Sequence, residues 1–291
     1  MDVENIDKYI TKSNIISTNE SVIYNKNKKQ IILISTGIFQ EYLLINIEHL
    51  LKLEHNVHMI TEKNFFPHLD KYKKLICIYD TSKINIDSFN KNSRLDKNFR
   101  NGFWENTSKR IFYLYEFMKL YNIKNVLHIE NDVLLYNKME YNMENKIYLV
   151  MDSVNRCIPS IMYIPDYRHL TTLIENYIFD KNDMVNLANF FNKNRENILT
   201  FPIINDSKAK SMYNENYDTF QSIFDGAAIG QLLGGVDPRN ISGNTIGFVN
   251  ETCEIKYNNY EFKWVLNEDN IKIPFINIDN KWILINNLHI H

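Results

Sequence analysis

Cysteine is scarce in this sequence. The chain has three cysteines in 291 residues, Cys77, Cys157 and Cys253, and no two of them form a Cys-x-x-Cys pair. This spacing excludes the disulfide framework of a small secreted domain and a zinc site built on paired cysteines. We therefore expect reduced thiols with a structural role. Glycine and proline are also few, with 8 and 6 residues, and we attach no mechanistic meaning to that bias.

The sequence has no large excess of positive or negative charge, and it has no long apolar runs. Lys and Arg number 33 against 35 for Asp and Glu, a balance that indicates neither a nucleic-acid partner nor a polybasic membrane anchor. No stretch reaches the ~18 consecutive apolar residues of a membrane span. The first residues, MDVENIDKYITKSNIIS, are acidic and polar, unlike a signal peptide. We expect a cytoplasmic protein without a membrane span.

The sequence does contain ample material for a folded core. Hydrophobic residues make up 44% of the chain and aromatic residues 13%. Apolar runs at 28–37, 56–62 and 75–80 predict buried strands, and leucines at helical spacing predict a helix over 42–55. This order of elements opens a nucleotide-binding α/β unit, so we predict an α/β fold.

The rest of the chain is also predicted to alternate helices and strands. Polar loops are predicted for 81–103, followed by a long helix over 104–123 that Asn106 or Thr107 would cap. Further elements follow in order: strands at 146–152 and 157–165, helix over 167–201, a helix within 224–235 ended by Gly234 and Gly235, and short strands over 253–291. No repeat or linker appears, so we predict one domain over 1–291, with halves at 28–136 and 137–291.

Acidic residues interrupt one of the most apolar segments, VLHIENDVLLY at 126–136. Buried carboxylates are costly unless a cation pairs with them. Glu130 and Asp132 are separated by one residue, Asn131, so both can face the same side of a strand, where one divalent ion would neutralise them. The alternative is a polar turn or a cap at the end of the strand.

Two further segments carry candidate site residues. In the terminal LHIH, strand alternation places His289 and His291 on one face, and imidazole suits Mn²⁺; a frayed terminal strand is the alternative. Asp225 precedes a helix of small residues, where the helix dipole stabilises a carboxylate, and capping alone explains that position. The turn at 237–239 shapes a ligand pocket or simply ends the helix.

An apolar strand ending in Glu130-Asn131-Asp132, after a helix that carries Arg110, resembles the Asp-x-Asp element of GT-A glycosyltransferases. The resemblance covers roughly residues 30–291 and implies the GT-A fold, a Rossmann-like nucleotide-binding mixed sheet flanked by helices. It also implies that the motif holds Mn²⁺ or Mg²⁺ against the diphosphate of a nucleotide sugar. Asp132 would be the principal metal ligand. Glu130 departs from the usual first Asp and would lie nearer the ribose.

The same resemblance assigns expected roles to other residues. His289 would be a further metal ligand and His291 a second metal ligand or a phosphate contact, and Asp225 would be the general base toward the acceptor hydroxyl if the enzyme inverts. The expected donor contacts lie before the acidic motif, within it and after it: Ser35, Thr36, Gly37, Arg110, Asn131 and Ser160. On this reading 28–136 binds the donor and metal, and 137–291 binds the acceptor.

The resulting hypothesis is a metal-dependent glycosyltransferase that moves a sugar from a nucleotide-sugar donor, a UDP-sugar by preference, to a glycan or another hydroxyl acceptor. One alternative is a sugar-nucleotide nucleotidyltransferase. That class is expected to have a Gly-rich basic loop after the first strand, and STGIFQEY at 35–42 is not such a loop. The other alternative is a non-catalytic carbohydrate-binding or scaffold protein with the same fold.

Overall fold

A computed structural model describes residues 29–235, 252–268 and 270–290. The predicted turn at 237–239 and His291 lie outside the described residues. The chain divides into two compact units. Unit 1 runs up to Leu127 and includes Ile164–Asn186, and unit 2 comprises His128–Tyr163 and the chain from Leu187 onward.

Unit 1 is built on parallel strands. Its strands are β1 Gln30–Ser35, β2 Asn56–Thr61 and β3 Cys77–Asp80, in the order β3-β2-β1, and β4 Val126–Ile129 begins in this unit. Every residue of β1 is buried, as expected for a parallel strand covered on both faces. Its helices are α1 Tyr42–Lys52, α2 Asp87–Asn92, α3 Phe103–Tyr121 and α4 Thr171–Glu175, with 3-10 turns at Lys63–Tyr72, Thr81–Lys83 and Tyr167–Leu170.

Unit 2 contains three groups of strands. In the first, β6 Ile147–Ser153 pairs antiparallel with β7 Arg156–Ile164 and parallel with β8 Ile198–Thr200. The second is a four-stranded sheet in the order β10-β11-β12-β9, made of β9 Ser222–Ile223, β10 Glu261–Leu266, β11 Lys272–Ile278 and β12 Lys281–Ile285. The third pairs β5 Val133–Leu135 with β13 Asn287–His289. The helices are α5 Asp183–Lys193, which begins in unit 1, α6 Tyr217–Phe220 and α7 Ala228–Gly234, with 3-10 turns at Ser211–Tyr213 and Tyr257–Asn259.

This architecture confirms the predicted α/β class with a mixed sheet flanked by helices. No helix in the described part of the chain is both long enough and apolar enough to cross a bilayer. All three cysteines lie in the described part and are free thiols, with Cys157 and Cys253 buried.

The predicted cap of the long helix was wrong. The helix begins at Phe103, and its N-cap is Gly102, which has a left-handed backbone with φ of 76°. The carbonyl of Phe99 accepts the N–H of Phe103, and that of Gly102 accepts the N–H of Asn106. The Thr107 hydroxyl donates to Trp104 O inside the helix. A glycine turn therefore replaces the expected Asn or Thr cap.

Two other predicted segments also differ from the structure. The region predicted as loops over 81–103 contains the short helix α2, in which the N–H groups of Phe89 and Asn90 donate to Ile86 O. The region predicted as helical over 167–201 ends in the strand β8, because Ile198 and its neighbours pair with Ile147–Leu149. Tertiary pairing overrides local propensity at such positions.

We predict that Asp166 makes the stability of unit 1 depend on pH in the acidic range. Its carboxylate accepts hydrogen bonds from the Arg168 guanidinium at 2.8 and 3.0 Å, and this pairing lowers the pKa of Asp166 to about 2. A lowered carboxyl pKa contributes stability that is present above the unfolded value near 4 and is lost as the pH falls through about 2. Because Arg168 is largely exposed, we expect Asp166→Asn to reduce the free energy of unfolding by at most about 2 kcal/mol near neutral pH.

Urea unfolding of wild type and Asp166→Asn over a pH series checks this expectation. The difference between the two proteins should narrow as the pH falls below about 4. A difference that is constant over that range would contradict the assigned role of the carboxylate charge.

Candidate metal centre

The acidic motif forms a turn between two strands. Strand β4 ends at Ile129, β5 begins at Val133, and the N–H of Val133 donates to Glu130 O across the turn. The expectation that Glu130 and Asp132 share one face of a strand is therefore wrong, and the alternative of a polar turn is what the structure has. Asn131 lies in the same turn and is buried.

The last described strand brings a histidine to this turn. Strand β13 runs antiparallel to β5, with His289 opposite Val133, and the N–H of Ile290 donates to Asp132 O. His289 Nε2 lies 3.2 Å from Asp132 Oδ1 and 3.6 Å from Glu130 Oε2. His289 is buried and paired, which contradicts the alternative of a frayed terminal strand.

The three side chains form a compact group of ligand atoms. One atom each from Glu130, Asp132 and His289 lies within 4.8 Å of the others. Asp132 is the most accessible, with 25% of its side chain exposed, against 11% for Glu130 and 9% for His289. Ligands can therefore approach the group from the side of Asp132.

The orientation of the imidazole is set by a backbone carbonyl. His289 Nδ1 lies 2.7 Å from Gly226 O. Because a carbonyl oxygen only accepts hydrogen bonds, Nδ1 carries the proton, and Nε2 is the nitrogen directed at the carboxylates. Histidine ligands of metal ions are commonly fixed by a second partner in this way.

The carboxylates of Asp132 and Glu130 determine the protonation state of His289. Burial acts to lower the pKa of His289, but the neighbouring carboxylates of Asp132 and Glu130 outweigh burial and raise it to about 10. Near neutral pH the imidazolium therefore offsets part of the charge of the acidic turn. A metal ion held by Glu130, Asp132 and His289 would take the place of the Nε2 proton.

The chemistry of this donor set fits Mn²⁺ or Mg²⁺. Carboxylate oxygens suit both ions, and imidazole shifts the preference toward Mn²⁺ among the two. The two carboxylates provide negative charge, and the fixed tautomer of the imidazole directs Nε2 toward the same point. The residues present therefore match the cofactor that the family resemblance implies.

Asp225 is buried below this group, with 1% exposure. Its carboxylate accepts backbone N–H groups from Ile229 and Gly230 of α7 and from His289. Burial raises the pKa of Asp225, and the hydrogen bonds from these N–H groups oppose that rise. These contacts are those of the capping alternative, and the general-base role stays a prediction.

Ser160 lies on β7 and is fully buried. Its hydroxyl donates to Asp225 O at 3.0 Å, and its own carbonyl accepts the N–H of Glu130 at 3.0 Å. The predicted contact between Ser160 and a donor sugar stays a prediction. The observed role is to connect Asp225 with the acidic turn.

The predicted nucleoside contacts belong to unit 1. Ser35 ends β1 and is buried, while Thr36 is half-buried and Gly37 is exposed. Gly37 has φ of 84°, and its N–H donates to Glu62 Oε1 at 2.9 Å. The left-handed backbone favours glycine there, and a Cβ at Gly37 would lie 3.0 Å from the Asn106 amide nitrogen, which would have to shift.

Arg110, the predicted donor contact on α3, has an acidic neighbour in unit 1. Its Nη2 lies 3.7 Å from Asp183 Oδ2, and its Nε donates to Thr107 O. Only 12% of the Arg110 side chain is exposed. Part of its charge is therefore offset within the protein, and its role toward a phosphate stays a prediction.

Sequence reasoning missed the polar residues that support His289. Asn286 and Asn287 are fully buried directly before Leu288. Asn287 accepts the N–H of Asp225 and donates to its carbonyl, and Asn286 donates to the Ser222 hydroxyl. Two consecutive asparagines inside the strand pattern ILINNLHI were a usable signal, because buried amides need specific partners.

No protein-family model and no curated protein matches the sequence. Solved structures with similar backbones include the PaToxG glycosyltransferase, at 14% identity and a TM-score of 0.35 over 57% of this chain and 68% of that chain. They also include the glycosyltransferase GlyE of Streptococcus pneumoniae TIGR4, at 11% identity and a TM-score of 0.38 over 66% of this chain and 48% of that chain.

A third similar structure is a cytidylyltransferase of Leptospira borgpetersenii serovar Hardjo-bovis, at 13% identity and a TM-score of 0.38 over 63% of this chain and 79% of that chain. The matched part spans about half the length of the GlyE chain, at 48%. Likenesses at this level decide neither the family nor the substrate.

Proposed function

We propose that this chain is a divalent-metal-dependent glycosyltransferase of the GT-A type, which transfers a sugar from a nucleotide-sugar donor, preferably a UDP-sugar, to a hydroxyl acceptor. The observation that carries the proposal is the convergence of Glu130, Asp132 and His289. Glu130 and Asp132 share one turn and His289 comes from a distant part of the sequence, and the three place ligand atoms within 4.8 Å of one another. Two partly buried acids at one point repel each other, and a bound divalent cation would offset their charge.

Each of the three residues has a distinct task in this proposal. Asp132, the most exposed of them, is the principal metal ligand and the one that meets the donor. Glu130 adds the second carboxylate, and His289 adds a neutral nitrogen through Nε2. A bound Mn²⁺ or Mg²⁺ supplies positive charge that offsets the charge developing on the leaving diphosphate.

A thermal-shift panel of nucleotide sugars, each with and without Mn²⁺, tests this function. A ligand present at about 100 times its Kd stabilises the native state by about 2.7 kcal/mol, which raises Tm by several degrees. We expect a rise that needs both Mn²⁺ and a uridine nucleotide. Hydrolysis of the same donor by the protein would then identify the sugar that is transferred.

Other outcomes favour the alternatives. A shift that needs a nucleoside triphosphate, with release of pyrophosphate on adding a sugar phosphate, would indicate a nucleotidyltransferase. Folded protein with no shift for any nucleotide and metal pair would contradict the enzymatic proposal and indicate a binding or scaffold role.

A further inference from the structure

We infer that Asp225 is a positioning residue for the candidate metal centre, which holds the backbone of His289 in place and connects it with the acidic turn. This inference rests on the proposed function, because it concerns the same metal ligands. It assigns to Asp225 a task that needs no contact with an acceptor. The contacts that support it all lie within unit 2.

The carboxylate of Asp225 joins helix α7 to strand β13. Its Oδ2 accepts the N–H of His289 at 3.0 Å and the N–H of Gly230 at 2.8 Å, and its Oδ1 accepts the N–H of Ile229 at 2.9 Å. Both oxygens are thus directed at backbone donors, and the residue is 1% exposed. The carboxylate is therefore directed at the backbone of α7 and β13 and away from solvent.

The main chain at the same position adds a second connection. Asn287 Oδ1 accepts the N–H of Asp225 at 3.2 Å, and Asn287 Nδ2 donates to Asp225 O at 2.8 Å. The next residue, Gly226, accepts the imidazole Nδ1–H of His289 at 2.7 Å. Asp225 and Gly226 together therefore fix the backbone of His289 and the rotation of its ring.

Ser160 extends these contacts to Glu130 in the acidic turn. The N–H of Glu130 donates to Ser160 O, and the Ser160 hydroxyl donates to Asp225 O, each at 3.0 Å. Hydrogen bonds therefore run from the acidic turn through Ser160 and Asp225 to His289. Outer partners of this kind orient metal ligands and tune metal affinity.

Close packing at Gly230 gives an independent indication that the position of His289 is constrained. A Cβ added at Gly230 would lie 1.9 Å from His289 O, a backbone atom. Helix α7 therefore approaches β13 as closely as glycine permits. Any side chain at Gly230 has to push the His289 backbone away from Asp225 and from the acidic turn.

Two substitutions test the positioning role. Asp225→Asn keeps the size of the side chain but replaces one acceptor oxygen with an NH₂ group, which cannot accept the N–H groups that face it. Gly230→Ala leaves Asp225 intact and displaces His289. A base role for Asp225 predicts unchanged metal affinity in Asp225→Asn, whereas positioning predicts weaker affinity in that variant. Gly230→Ala tests the second part of the inference, that metal affinity depends on the position of the His289 backbone.

The measurement is the Kd for Mn²⁺ alone, from the electron paramagnetic resonance signal of free Mn²⁺, at a temperature where circular dichroism shows each variant folded. We expect Kd to rise about 10- to 100-fold in Asp225→Asn and in Gly230→Ala. The matched control is Asp166→Asn, which changes another buried capping aspartate that lies in unit 1. Its Kd should equal that of the wild type.

A reference variant, His289→Ala, distinguishes failure of the proposed metal centre from failure of the positioning role of Asp225. Retention of wild-type Mn²⁺ affinity in His289→Ala would overturn the proposed metal centre itself. Loss of affinity in His289→Ala with wild-type Kd in Asp225→Asn and Gly230→Ala would overturn only the positioning role. If neither of these two variants folds, Ser160→Ala replaces them: a severalfold rise in Kd supports the inference, and an unchanged Kd overturns it.

Discussion

Replacing Asp132 with Asn is expected to abolish metal-dependent turnover of the donor while the fold stays intact. The substitution preserves the shape of the side chain and removes the charge of the most exposed ligand. Charge stabilisation by a metal ion is worth several kcal/mol in the transition state, so its loss should lower the rate by roughly a thousandfold. Donor hydrolysis at saturating Mn²⁺ measures the effect, and circular dichroism shows whether the fold is retained.

The control for this prediction is Asp206→Asn. Asp206 also lies in a turn of unit 2, where its side chain accepts the N–H of Lys208. An asparagine oxygen can accept the same bond, so this variant should have wild-type activity and wild-type Mn²⁺ dependence. Full activity of Asp132→Asn would remove the metal role from Asp132.

Phe201→Ala is expected to give a large loss of stability in unit 2. Phe201 is fully buried, and its ring lies 4.3 to 5.4 Å from three others, Tyr148, Phe220 and Phe224. Truncating a buried phenylalanine to alanine removes apolar contacts and leaves a cavity, which costs about 3–5 kcal/mol. Urea unfolding monitored by circular dichroism measures the change in the free energy of unfolding.

Two control variants are compared with Phe201→Ala. Phe201→Leu keeps most of the buried volume and should cost clearly less than the alanine variant. Phe99→Ala removes a ring that is 40% exposed, and its effect should lie within about 0.5 kcal/mol. A loss for Phe201→Ala as small as that for Phe99→Ala would contradict the assigned core.

The first strand and the helix α1 were predictable because their signals are local. The segment QIILIS at 30–35 has an unbroken apolar run, and Leu43, Ile47 and Leu50 recur at helical spacing. The N-cap of α3 was not predictable in the same way. It depends on the left-handed backbone of Gly102, whereas cap preferences pointed to side chains that lie inside the helix.

The candidate site was predictable only in part. The acidic pair and His289 were identified from their positions in apolar segments and from the family resemblance. Their meeting depends on the pairing of β13 with β5, a contact between residues far apart in the sequence. The buried contacts of Asp225 depend on the same pairing, which is why sequence reasoning left capping and catalysis as open alternatives.

Anomalous diffraction from crystals soaked in Mn²⁺, recorded at the manganese absorption edge, tests the central claim most directly. We expect a strong anomalous peak within bonding distance of His289 Nε2 and of carboxylate oxygens from Glu130 and Asp132. Crystals in which Mn²⁺ binds only elsewhere, with these three side chains still in direct contact with one another, would contradict it.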